Sequence, residues 1–157
     1  EYEVPFASVI CTEIDLAEGA SCLMAETLVL GRQAMGEVLT RLDLTDLRMI
    51  RRHGRPVWAD NLTLQDAVLT AGANPALLSG ARAMAIVALV APGAADAAPA
   101  LRELLDPQLC RGAVSGWDGK CVVRLLAADG WPLKRQLTRI LRVLSGNALP
   151  RVWQSGE

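Results

Sequence analysis

The chain has 157 residues, 52% of them apolar and 21% charged, which is enough to bury one sizeable core in ordinary folded proportions. Sixteen Lys and Arg against seventeen Asp and Glu leave a net charge of −1, which excludes a global attraction to nucleic acid or an anionic membrane. The longest apolar run, Ala83 to Ala91, falls far short of the about twenty residues that span a bilayer.

In chain order, the first sixty-odd residues read as strands. Cys11 to Leu16 alternates around Ile14 and Leu16, and Glu18-Gly19-Ala20 supplies a turn. Ser21 to Leu30 is richer in apolar residues, as in a strand covered on both faces. Gly31 to Glu37 interrupts it with two glycines. Alternation resumes at Val38 and runs through Leu42 and Leu44, then slips by one at Asp46-Leu47. That slip predicts a bulge or a corner where the strand changes sheets. Arg52-His53-Gly54-Arg55 predicts a hairpin turn, and Val57 to Leu64 the strand after it, the whole reading as a meander of short antiparallel strands.

Asn74-Pro75 opens a short helical turn closed by Gly80, and Ala81 to Val90 reads as a central strand stopped by Pro92-Gly93. Ala94 to Leu105 has leucines at helical spacing and ends at Asp106-Pro107. Ala113 to Leu126 reads as a hairpin turning at Trp117-Asp118-Gly119-Lys120. Leu133, Leu137, Ile140, Leu141 and Leu144 then mark one apolar face of a last helix, with Lys134, Arg135, Arg139 and Arg142 largely off it.

The sequence offers little for catalysis. His53 is the single histidine, and no Gly-x-Ser-x-Gly elbow exists; Ser115 with Asp118 reads as a turn. The glycines at 31 and 36 lack the Lys-Ser/Thr of a phosphate loop, although Arg32 between them could meet an anion or a partner's carboxylate. Cys11, Cys22, Cys110 and Cys121 could in number form two disulfides, but their wide spacing favours free thiols, and without a CxxC a Cys/His metal cage is not expected. Carboxylates carry more promise. Glu26 and Glu37 flank the glycine segment, with Glu13 and Asp15 on the preceding strand. A polar path lined by such groups could pass a borderline divalent cation without holding it tightly. Near the end, Arg151 and Trp153 in Leu-Pro-Arg-Val-Trp form either a tail tucked onto the core or a contact strip.

Taken together, several segments resemble the UreD (UreH) family of urease accessory proteins. They are Gly31-Arg32-Gln33-Ala34-Met35-Gly36-Glu37, Arg48 to Arg52, Val57-Trp58 with Asp60, Pro75 to Gly80, Asp118-Gly119, Arg124 to Ala127, and Leu149 to Trp153. The resemblance implies a mostly β, α+β fold: a flattened β-helix-like stack of short strands with two helices, at roughly 95–105 and 132–145. It implies one domain over 1–157 that lacks the family's N-terminal strands, since Tyr2 to Phe6 is similar to the stretch before the family's second half. It further implies a cytoplasmic, non-catalytic scaffold that binds UreF, through it the GTPase UreG, and apo-urease, passing nickel only transiently. Glu37 and Glu26 are then candidate nickel-path residues. Arg32, Arg139, Arg142, Arg151 and Trp153 are candidate partner contacts. The competing expectation is a generic β-rich interaction domain with no nickel role.

Overall fold

The computed structural model describes residues 2–31, 35–70, 74, 77–146, 149 and 153. The fold is mostly β with helices, and its residues divide into two units: 1–20 with 30–80, and 21–29 with 81–157.

The first unit holds β1 (Tyr2–Leu16), β3 (Glu37–Arg52) and β4 (Arg55–Gln65) in the order β1-β3-β4, followed by the short α1 (Ala67–Thr70). The expected meander of short antiparallel strands is corrected here. β1 and β3 are 15 and 16 residues long and pair in parallel; only β3 and β4 are antiparallel. A parallel pair requires a crossover, and the chain supplies it by leaving for the second unit as β2 (Cys22–Val29). The predicted hairpin turn joins β3 to β4, with His53 at φ 51° and Gly54 at φ 70°, the paired positive angles that a two-residue turn needs to match strand twist.

The expected bulge at Asp46-Leu47 is also absent. β3 is unbroken there, and its buried face keeps one parity through Leu42, Leu44, Asp46, Arg48 and Ile50. The apolar phase slips because charged residues occupy two inward positions, while Leu47 turns outward, 39% exposed. The β3–β4 register does slip four residues further on, between Ile50 and Arg51, opposite Pro56. A proline has no N–H to give the ladder, so a bulge accommodates it.

The second unit is an antiparallel sheet, β2-β5-β7-β6, with β5 (Ala83–Val90), β6 (Arg111–Trp117) and β7 (Lys120–Ala127). β5 lies between two neighbours and is buried at seven of its eight positions, as its compact apolar run predicts. β2, expected to be covered on both faces, is instead an edge strand whose Thr27 and Val29 are exposed. A turn of 3-10 helix at Ala94–Ala97 leads into α2 (Ala98–Leu104), and α3 (Gly130–Leu144) closes the unit. Leu133, Leu137, Ile140 and Leu141 of α3 and Leu101 of α2 join Val87, Val123 and Leu125 of the sheet in one core. Gly116 makes room for the helical layer. A Cβ there would lie 2.6 Å from the Ala95 carbonyl oxygen and 2.9 Å from the Ala98 Cβ.

Candidate functional site

Two polar constellations stand out, one in each unit. On the buried face of β3, Asp46 and Arg48 are two residues apart and so point the same way. The register sets Asp60 of β4 directly opposite Arg48. The Arg48 guanidinium donates from Nη2 to Asp46 Oδ2 and from Nη1 to Asp60 Oδ2 at 3.2 Å. Asp46 and Arg48 are each only 6% exposed. One cation thus stands between two carboxylates among Leu42, Leu44, Ile50 and Trp58, a costly arrangement that is tolerable only while every charge has its partner.

Nearby strand residues tie the unit's edge. Arg51 forms a forked pair with Glu13, at 3.2 and 3.1 Å. This hydrogen bond, with the charge behind it, holds the Glu13 carboxyl below its ordinary range and raises the Arg51 guanidinium. Arg52 donates to the Ala17 and Ala20 carbonyls at 2.9 and 2.7 Å, fixing the turn that follows β1.

In the second unit, Asp129 caps α3 by accepting from the Gly130 N–H. Gln136 on the buried side of α3 accepts from the Asp106 N–H at 2.9 Å and donates to the Leu104 carbonyl at 3.2 Å, clasping the end of α2. Arg139 reaches Asp106 at 3.4 Å. On the outer side Trp131 is 64% exposed, with the Arg135 guanidinium 4.8 Å from its ring centroid.

The predicted carboxylates fall in different units. Glu26 sits half-buried on β2 of the second unit, opposite Ile86 of β5; Glu37 is the half-buried first residue of β3 in the first unit. Of the candidate contacts, Arg139 and Arg142 are exposed on α3, and Trp153 is half-buried against the second unit's core. Arg32 and Arg151 lie outside the described residues. His53 is in the first unit, and Ser115 and Asp118 in the second, with Asp118 in the hairpin turn as predicted.

All four cysteines are free thiols. Burial raises Cys22 and Cys121, and burial aided by the Asp106 charge pushes Cys110 up to about 11, so these three stay protonated at neutral pH. Among the described residues no three His, Cys, Asp or Glu gather to hold a metal ion, and no helix is long and apolar enough to cross a membrane.

The Asp46–Arg48–Asp60 set escaped the sequence reading, although a signal was available. Two charges broke the inward parity of an otherwise regular strand, but the mirrored position across the hairpin is Ala59, and the one-residue slip at Pro56 is what brings Asp60 opposite Arg48.

Comparison with known proteins gives a consistent result. The family described as UreD urease accessory protein matches residues 8–154. The urease accessory protein UreD of Cereibacter sphaeroides (strain ATCC 17025 / ATH 2.4.3) is 57% identical over 143 residues, covering 91% of this chain and 52% of its own length. That of Paracoccus denitrificans is 51% identical, with 91% and 51% covered. The urease accessory protein UreD 2 of Methylorubrum populi is 44% identical over 145 residues, with 91% and 49% covered. The chain spans about half the length of the curated relatives it matches.

Proposed function

This chain belongs to the UreD urease accessory protein family, and we propose that it is a non-catalytic scaffold that assists nickel insertion into apo-urease. In this reading it works in the cytoplasm, binds UreF, and through UreF recruits UreG to the urease subunits. The observation that carries the reading is family membership over 8–154, with 57% identity to the Cereibacter sphaeroides relative. The flattened stack belongs to the same proposal: the strands described here are completed by those in the other half of the longer relatives.

Nickel is cargo in this scheme, with no resident site. Carboxylate oxygens and solvent suit the brief passage of a borderline cation, whereas thiolates would bind it more durably. Glu37 and Glu26 are the proposed contributors from this chain. The raised, protonated Cys22, Cys110 and Cys121 are poor competitors for the metal.

The test is Glu37→Ala in a full-length relative, co-expressed with urease and the remaining accessory proteins. The expected outcome is a loss of urease activation, with less nickel per purified urease, while the accessory complex still co-purifies. Wild-type activation would remove Glu37 from the path, and failure of the unmutated protein to capture any accessory partner or urease would overturn the scaffold reading itself.

A further inference from the structure

We propose that the outer face of α3 is a docking surface for an acidic protein segment, with Trp131, Lys134, Arg135 and Arg142 as its contact residues. The fifteen residues of α3 contain four of the chain's sixteen basic residues and none of its seventeen acidic ones. Arg139 is partly satisfied by Asp106, and Asp129 is engaged by the Gly130 N–H at the cap. Lys134, Arg135 and Arg142 form no ion pair among the described residues.

Helix stability does not account for this pattern. Cations near a helix C-terminus complement the dipole, which suits Arg142; Lys134 and Arg135 sit in the N-terminal half, where acids would help and the first turn has none. Nor is the helix a membrane-surface one, because its apolar face, Leu133, Leu137, Ile140 and Leu141, is already spent in the core.

Trp131 gives the face a centre. It lies in line with Arg135 and Arg142 at i, i+4 and i+11, so all three project from one side. A tryptophan 64% exposed is a large apolar surface left in water, and the stacked Arg135 guanidinium holds its ring in place. Trp and Arg are the residues that most often anchor protein interfaces, and a ring fixed in advance loses little entropy on binding. The complementary surface is a run of Asp or Glu around one apolar side chain. The chain's overall charge of −1 favours such a protein partner over a nucleic acid. This places partner contact on the side of α3 that carries Trp131, Arg135 and Arg142. For the partner's identity it rests on the scaffold reading above, and for its chemistry it does not.

The experiment titrates the full chain with a fluorescently labelled helical peptide carrying an i, i+4 ladder of glutamates around one leucine. Its glutamine twin and a short DNA duplex serve as parallel probes. The glutamate peptide is expected to bind in a salt-sensitive manner, at least about tenfold tighter than its twin. Lys134→Glu with Arg142→Glu, and separately Trp131→Ala, should each weaken it at least about tenfold, while Arg55→Glu on β4 leaves it unchanged. Circular dichroism checks that these surface variants stay folded. Equal binding of the two peptides, equal binding by the variants, or tighter binding of the duplex would overturn the proposal. So would self-association that vanishes with Lys134→Glu and Arg142→Glu, since the occupant would then be a second copy. None of these outcomes touches the capture of urease partners, so the two readings fail separately.

Discussion

Arg48 shows how much a single side chain can carry in a sheet. Its guanidinium pairs with two carboxylates, one from its own strand and one from across the hairpin. Removing the cation alone would leave Asp46 and Asp60 facing each other in a poorly solvated place. Arg48→Met is therefore expected to cost about 3–5 kcal/mol, read as a lower urea midpoint at unchanged m-value. Replacing all three residues by apolar ones of similar volume should return most of that loss, because the desolvation penalty disappears with the charges. A single variant within about 0.5 kcal/mol of wild type would mean that water reaches the cluster and the pairs are worth no more than surface ones. The network was hard to read in the sequence for a simple reason. Alternation assigns charges to the wet face, so two inward charges register as a broken pattern and not as a motif.

At the scale of elements, most of the second unit was legible. The helix of 130–144 follows from aliphatic residues at i, i+4, i+7 and i+8, and the hairpin at Asp118-Gly119 from its turn residues. Ends were less legible, because they depend on partners distant in sequence. α2 stops at Leu104 where Gln136, thirty-two residues on, takes up the Leu104 carbonyl and the Asp106 N–H. No local pattern announces that glutamine, which sits among leucines on a helix face and is fully buried. It is tolerated because both ends of its amide are satisfied. Gln136→Leu keeps the size and strips the bonds, leaving a backbone donor and an acceptor to be paid for at about 1–3 kcal/mol each. The expected result is a lower melting temperature together with faster amide exchange at Asp106, and unchanged exchange there would show that the clasp is dispensable. Gln136→Glu is a sharper control, since it keeps the acceptor for Asp106 and loses the donor to Leu104.

For the whole molecule, the family was legible and the topology was not. Separate short segments in a fixed order identified a UreD resemblance, which the match over 8–154 bears out. Strand pairing has no such signature: nothing in the residues says that β1 should skip β2 and pair in parallel with β3. The skip has a consequence for how the chain can be divided. β2 belongs to the second unit but is encoded between two strands of the first, so no single cut separates the units. A fragment of 81–157 would lose the eight-residue ladder between β2 and β5, exposing the edge of the most buried strand in that sheet. An unpaired apolar edge recruits other chains. The fragment expressed alone is expected to aggregate, and co-expression with 1–80 should restore a soluble pair by returning β2 in trans. Solubility and light scattering, with and without 1–80, make the comparison. A monomeric 81–157 that unfolds cooperatively on its own would show that β5, β6, β7 and the helices suffice. The edge-strand role of β2 would then be decorative, and the interleaving of the two units an accident of connection with no bearing on stability.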